Sequence, residues 1–160
     1  MRLRRVLLLV VTLVVAPSAS AELFPNIRKG YNFEAPASWR LAHPDYMLAS
    51  PSGASLSESD LPPKGVLTLE KISKSAGMIA CIGADYEDTN EQFPLDGEGW
   101  NGLVKVFVEP RRTNRQQRHV LQLVAQHGDS YRIFYLAMPT TEWKGDRKGF
   151  TAVLGSLRFQ

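Results

Sequence analysis

The sequence predicts an α+β domain in which an antiparallel β-sheet carries a C-terminal helix. Three observations lead to this prediction. Residues 103–108 form an apolar run rich in valine that ends before Pro110. Residues 131–138 form a second such run, directly after a His-Gly-Asp-Ser turn. Between residues 139 and 157, apolar side chains recur near the spacing of one face of a helix.

The first part of the chain predicts short strands joined by turns. Residues 22–30 indicate an irregular lead-in. Alternating or apolar segments predict strands at residues 31–35, 39–42 and 46–50. Residues 52–64 are polar, with several serines, an aspartate and two prolines, which favour irregular backbone, so this segment predicts a surface loop.

The middle of the chain predicts two more strands and a long loop. Residues 65–72 and 78–82 are apolar runs of strand length. Cys81 lies in the second run and is expected to be buried as a small apolar side chain. As the only cysteine, it excludes an intrachain disulfide. Residues 85–102 are acidic and glycine-rich, and predict an excursion between strands.

The last part of the chain predicts a hairpin followed by a helix. Residues 118–126 fit either a helix face or a strand buried on both sides, and the tight turn that follows favours the strand. Thr140 or Thr141 is expected to cap the helix, with Glu142 in its first turn. Residues 157–159 predict a short closing strand.

Two segments carry a resemblance to a known superfamily. The opening segment, from Phe33 through Pro36 to Trp39, resembles the F-x-x-P-x-x-W pattern of the PsbP-like and DcrB-like proteins. The ending at residues 150–159 is similar to the closing apolar pattern of the same superfamily. The resemblance implies an α/β/α sandwich and a binding or assembly role rather than catalysis. An early helix that the superfamily leads us to expect is not evident in this sequence.

The N-terminus predicts export. Residues 1–5 are basic, residues 6–15 are apolar except for Thr12, and residues 19–21 are Ala-Ser-Ala. This layout is typical of a signal peptide cut after Ala21, and its apolar part is shorter than the roughly 20 residues that span a bilayer. We therefore expect a leader at residues 1–21 and one domain at residues 22–160, periplasmic or secreted, without a membrane anchor after cleavage.

The charge balance gives no support to a nucleic-acid partner. The chain has 19 Lys and Arg against 16 Asp and Glu, and three of the arginines lie in the leader, so residues 22–160 carry 16 of each sign. A chain close to neutral has no bulk attraction for nucleic acid or anionic lipid. The expected partner is another protein, and no cofactor is indicated.

Candidate catalytic and metal-binding groups are sparse. His119 and His127 would lie roughly 26 Å apart on one strand and about 12 Å apart on one helix, too far for a local metal pair. No Gly-x-Ser-x-Gly motif is present, and a dyad of Cys81 with either histidine would depend on the fold. The acidic residues at 85–98 do not follow the EF-hand spacing. We expect no enzyme and no metal site, and a cation or a basic partner at the acidic residues 85–98 stays open as an alternative.

The two charged segments around residues 103–108 predict the partner surface. Aromatic and arginine side chains often dominate binding energy at interfaces. The candidate surface residues are Phe93, Trp100, Arg111, Arg112, Arg115 and Arg118. An alternative for Trp100 is that it fills the edge of the core.

The sequence therefore predicts an exported, non-enzymatic protein-binding or envelope assembly module. Two alternatives stay open. One is a periplasmic immunity protein that occludes a toxin, and the other is a small envelope hydrolase.

Overall fold

The computed structural model describes residues 20–26, 29–43, 47–59, 68–110, 113 and 116–160. The strands within these residues, in chain order, are β1 (Ala21–Asn26), β2 (Tyr31–Pro36), β3 (Arg40–His43), β4 (Met47–Ala49), β5 (Ser55–Glu58), β6 (Glu87–Pro94), β7 (Asn101–Val108), β8 (Arg118–His127), β9 (Ser130–Pro139) and β10 (Arg158–Phe159). The helices are α1 (Leu69–Gly83), α2 (Thr140–Gly145) and α3 (Arg147–Gly155). Residues 1–19, which carry the predicted leader, lie outside the described residues.

The strands form two antiparallel sheets. A small sheet has the order β1-β2-β10, and a large sheet has the order β3-β4-β5-β9-β8-β7-β6. The helix α1 packs on one face of the large sheet, and α2, α3 and the small sheet cover the other face. The predicted α+β fold with an antiparallel sheet and C-terminal helices is confirmed, in the layers of an α/β/α sandwich.

The strands in the middle of the large sheet agree with the sequence prediction. β7, β8 and β9 pair along their whole length, with Leu121 opposite both Val106 and Leu136. Because β8 lies between two long strands and under helices on both faces, it is buried on both sides. This explains why its apolar residues run continuously instead of alternating. Trp39, Phe107, Phe134 and Leu154 are all buried.

In the first part of the chain, two strands replace segments that were predicted to be irregular. The lead-in at residues 22–30 contains β1, where Phe24 lies opposite Phe33 of β2. Pro25 made this segment look unlike a strand in the sequence, but proline is tolerated here because β1 is an edge strand. The loop predicted at residues 52–64 contains β5, a short inner strand whose Leu56 is buried. Residues 60–67 lie outside the described residues.

The two strands predicted at residues 65–72 and 78–82 are wrong, because residues 69–83 form the helix α1. The Thr68 hydroxyl caps this helix by accepting a hydrogen bond from the Lys71 N–H at 3.4 Å. Each apolar run is short enough to fit a strand, and periodicity alone does not separate the two cases. Cys81, which was expected to be buried, is half-buried on α1.

The loop predicted at residues 85–102 contains the edge strand β6. Its side chains are mostly exposed and polar, so no apolar alternation marks it. The pairing with β7 shifts register between Asp88 and Gln92, around Asn90 with its positive φ of 61°. An irregular, charged edge strand of this kind resists pairing with another sheet edge.

The predicted C-terminal helix is divided in two at Asp146. The side chain of Asp146 caps α3 by accepting a hydrogen bond from the Gly149 N–H at 2.9 Å. The expected cap at Thr140 or Thr141 is absent from the described structure of α2, which begins directly after Pro139 without a side-chain cap. None of the helices in the described residues combines the length and apolar character needed to cross a bilayer.

Candidate functional site

The candidate surface predicted from the sequence is taken up largely by internal contacts. Trp100 is only 5% exposed, and its Nε1 donates to the Leu157 carbonyl at 2.7 Å. Phe93 is half-buried against the larger core. The alternative, that Trp100 fills the edge of the core, is therefore the one that its burial supports, and Trp100 is not available as an exposed anchor.

Of the four arginines of that candidate surface, the structure describes only Arg118. Arg118 donates to the Gly53 carbonyl at 3.0 Å and to the Ala137 carbonyl at 3.3 Å, so its guanidinium joins neighbouring segments of the large sheet. Arg111, Arg112 and Arg115 lie outside the described residues. The described part of this surface thus stabilises the fold.

Three of the acidic residues at 85–98 form ion pairs within the chain. Glu91 binds Arg147, and Glu98 binds Arg158 at 2.6 Å. The Lys105 Nζ lies 2.8 Å from the Asp88 Oδ2. Among the described residues, no group of three or more His, Cys, Asp or Glu side chains is arranged to hold a metal ion.

The histidines do not approach Cys81. His119 Nδ1 lies 2.9 Å from the Thr140 Oγ1, and its ring stacks on Trp143 on the α2 side of the large sheet. His127 stacks on Phe159 of the small sheet, with ring centroids 4.6 Å apart. Cys81 lies on α1, on the opposite face of the large sheet. The dyad considered from the sequence does not form.

A buried carboxylate lies between the two sheets. The Glu58 side chain is 3% exposed, and its oxygens lie 2.9 Å from Lys29 Nζ and 3.2 Å from Arg132 Nη1. The Tyr31 hydroxyl donates to Glu58 at 3.2 Å. Burial and then the negative charge of Glu58 raise the pKa of Tyr31. The cavity beside them is about 30 Å³, enough for roughly one water molecule, so this cluster holds the sheets together rather than binding a ligand.

A larger groove lies between α1 and the β6–β7 hairpin. Its volume is about 500 Å³, within the range of small ligand sites. One wall is a stripe of α1, and the other is made by both strands of the hairpin. The side chains that line the groove include Ser73, Lys74, Met78, Asp88, Leu103 and Lys105. We call this site the α1 groove.

The helix beside the groove has an unusual distribution of side-chain size. Its buried positions are small except for Ile72, as at Ser73 and Ala76. Its large apolar residues Met78 and Ile79 are 57% and 52% exposed. Met78 lines the α1 groove, whereas Ile79 does not, since consecutive helical residues point about 100° apart.

Small buried residues let α1 approach the sheet closely. At Gly77, an added Cβ would lie 3.2 Å from the Phe107 ring. Polar contacts accompany the close approach. One orientation of the Gln122 amide gives both its nitrogen and its oxygen a hydrogen-bond partner. In that orientation the nitrogen donates to the Ser73 carbonyl at 3.2 Å, and the oxygen accepts from the Gly77 N–H at 3.3 Å and from the Tyr135 hydroxyl at 3.1 Å. The Ser73 Oγ is buried and has no hydrogen-bond partner among the described residues.

The lower part of the groove holds the Lys105–Asp88 ion pair. The Lys105 side chain is only 15% exposed, and its Nζ lies 5.5 Å above the centre of the Phe107 ring. Burial alone would raise the pKa of Asp88, but hydrogen bonds from Lys105 and from the Asn90 N–H outweigh it and lower the pKa below its usual value. Asp88 is therefore ionised and holds Lys105 in place.

The sequence prediction missed this groove because α1 itself was missed. The available signal was the capping threonine at position 68 with an acidic residue two positions later, followed by 15 residues without proline. The half-buried state of Cys81 follows from its place on the groove wall.

Comparisons with known proteins support the fold. No family model and no curated protein matches the chain. Among solved structures, the chain is similar to the cyanobacterial PsbP protein (CyanoP) from Synechocystis sp. PCC 6803, with a TM-score of 0.63 and 17% sequence identity over 93% of this chain and 98% of that one. At this identity the likeness concerns architecture alone. The fold-level resemblance predicted from the two ends of the sequence is confirmed, and the chain has a PsbP-like fold.

Proposed function

We propose that this chain is an exported, non-catalytic module that binds a partner protein through the α1 groove. The observation that carries the proposal is the exposed Met78 beside a groove of about 500 Å³, on a helix that buries mainly small residues. Large apolar side chains left outside while small ones pack inward mark an interaction surface rather than a core. Methionine also adapts its shape to different partners.

Export is supported by the three-part layout of the first 21 residues. Cleavage after Ala21 would remove only the first residue of β1, and Phe24 would still lie opposite Phe33. Mass spectrometry of the protein recovered outside the cytoplasm should therefore show Glu22 as the first residue. An intact Met1 in the membrane fraction would contradict the proposed export.

Site-specific crosslinking tests the binding face. A photoreactive benzoylphenylalanine at Gln92, which is exposed on the groove wall, should form a discrete adduct with one partner in the producing cells. The same group at Asp129, exposed in the β8–β9 turn, is the control position and should not form this adduct.

Two matched variants locate the contact. Met78→Ser should strongly reduce the adduct formed from position 92, because it removes the apolar side chain in the groove. Ile79→Ser removes an equally exposed apolar side chain outside the groove and should leave the adduct nearly unchanged. An adduct unaffected by Met78→Ser, or formed equally from position 129, would contradict the proposal.

A further inference from the structure

We infer that the α1 groove receives a segment of the partner protein in which a carboxylate and a large apolar side chain lie two residues apart, as in an extended Leu-x-Glu sequence. The inference rests on the proposed function, because it names the chemistry of the partner that this groove binds.

The first argument is a charged group that no contact in the groove holds. Among the described lining residues there are two charges of each sign: Asp88 is paired with Lys105, and the ionised Glu70 carboxylate accepts hydrogen bonds from its own backbone N–H and from Thr68, which lower its pKa. Lys74 has no hydrogen bond or ion pair with any described residue. The Lys74 ammonium is therefore available to a partner, and it favours an anionic group there.

The second argument is an unpartnered buried hydroxyl. Ser73 lines the groove next to Lys74 in the sequence, is only 1% exposed, and its Oγ has no hydrogen-bond partner in the described structure. Buried polar atoms in folded proteins are almost always hydrogen-bonded, so this hydroxyl is an exception that calls for an explanation. A carboxylate oxygen that accepts from the Ser73 hydroxyl and pairs with Lys74 would satisfy both groups.

The third argument is the position of the apolar contact. Met78 lies four residues after Lys74 on the same flank of α1, and Leu103 lies on the opposite wall. Cβ atoms four residues apart on a helix are about 5–6 Å apart. Side chains on the same side of an extended peptide are about 6.6 Å apart, which is two residues at 3.3 Å each. An apolar and an acidic residue separated by one position therefore match the two contacts.

A peptide titration tests the inference. The probe is acetyl-Ser-Leu-Ser-Glu-Ser-Leu-Ser-amide, in which a leucine lies two residues from the glutamate in either chain direction. Added to the purified ¹⁵N-labelled protein, it should produce saturable amide shifts confined to α1 and the β6–β7 hairpin. A control peptide with glutamine in place of glutamate should bind about tenfold more weakly, a difference of about 1.4 kcal/mol. Equal binding of the two peptides would overturn the inference.

A pair of charge reversals locates the carboxylate. Lys74→Glu should weaken the acidic peptide about tenfold or more and should have little effect on the glutamine peptide. Lys71→Glu is the matched control, because Lys71 is also exposed on α1 but does not line the groove. A similar loss of peptide binding in both variants would indicate long-range attraction alone and would overturn the inference.

The crosslink from position 92 separates this inference from the proposed function. An adduct that is lost in Met78→Ser but unchanged in Lys74→Glu would retain the groove as the binding site and overturn the carboxylate contact. An adduct reduced by both variants would support both statements. The absence of any adduct from position 92 would remove the proposed function, and the inference with it.

Discussion

The two faces of the large sheet differ in how they are held. On the face toward α2, α3 and the small sheet, a continuous cluster joins aromatic side chains such as Tyr31, Phe33 and Phe134, whose rings meet edge to face about 5–6 Å apart. On the α1 face, the buried cluster of the described residues is Ile72, Ala76, Val124 and Ile133, and the Phe107 ring is buried beside Gly77. One face has a large apolar core, and the other has a small one supplemented by polar contacts.

This difference indicates a division of roles. Apolar burial contributes most of the free energy of folding, so the α2–α3 face supplies most of the stability. The α1 face contributes less, and Gln122 and Lys105 bring polar groups into it. Elements with few buried apolar contacts open more readily than the rest of a protein, and binding surfaces are drawn from them. The proposed binding groove lies on the less stable face.

Truncation of one core residue on each face tests the comparison directly. Phe134→Ala should lower the free energy of unfolding by about 3–5 kcal/mol, because Phe134 is fully buried among aromatic rings. Ile72→Ala on α1 should cost about 2 kcal/mol, at the low end for a buried aliphatic residue, since its cluster is small. Urea unfolding followed by circular dichroism measures both. A larger loss for Ile72→Ala would reverse the assignment of the two faces.

The sequence predicted one face of this molecule well and the other poorly, for a physical reason. Residues 103–108 and 131–138 alternate or run apolar because large side chains point into a large core. In α1 the small residues point inward and Met78 and Ile79 point outward. The apolar periodicity that identifies a helix was therefore missing, and short apolar runs suggested strands instead.

The candidate site was missed for a related reason. Trp100 was a reasonable anchor because its sequence neighbours are polar or glycine, yet Leu157, far away in sequence, provides the carbonyl that its indole binds. Pairings such as Glu91 with Arg147 likewise join segments far apart in the chain. Contacts of this kind depend on the three-dimensional arrangement of the two sheets, and local sequence patterns do not contain it.

The Glu58 cluster is a polar contact within the largely apolar face. Glu58→Gln should lower the free energy of unfolding by roughly 1–3 kcal/mol, because it weakens contacts of a buried carboxylate with Lys29 and Arg132. The Lys29 and Arg132 side chains are partly exposed, so water can solvate them in the variant. The loss of stability should therefore lie in the lower part of the range of roughly 1–3 kcal/mol. Glu34→Gln is the control, because its ion pair with Arg158 is exposed, and should change stability by about 0.5 kcal/mol or less. Equal effects in denaturant titrations would show that Glu58 has no special structural role.

Replacement of Gln122 tests how α1 is held. Gln122→Met keeps the size of the side chain and removes its hydrogen bonds to α1. We expect the amides of α1 to exchange about tenfold faster with deuterium, corresponding to about 1.4 kcal/mol, with smaller changes in β9. Gln126→Met, at the less buried end of β8, is the matched control. Uniform acceleration across the whole protein would mean that α1 and the sheet unfold as one unit.

The smallest expected effect is acid sensitivity on the α2 face. Burial, followed by the positive charges of Lys144 and Arg147, lowers the pKa of His119, and Glu91 opposes this only in part. The unfolded chain, in which a histidine has a pKa of about 6.5, thus binds more protons than the folded protein at mildly acidic pH. The stabilising effect of neutral His119 is complete above that pH, and it is lost as the pH falls toward the lower pKa of the folded state.

Melting temperatures at neutral and mildly acidic pH should show this loss in the wild type and a smaller one in His119→Gln. His127→Gln is the control for removing a histidine, because His127 is exposed on its turn beside Phe159. Since His119 stacks on Trp143, a change in tryptophan fluorescence over the same pH range would assign the transition to this face. Equal pH dependence in the wild type and His119→Gln would place the acid-sensitive group elsewhere, and the α1 face would then be the first place to test.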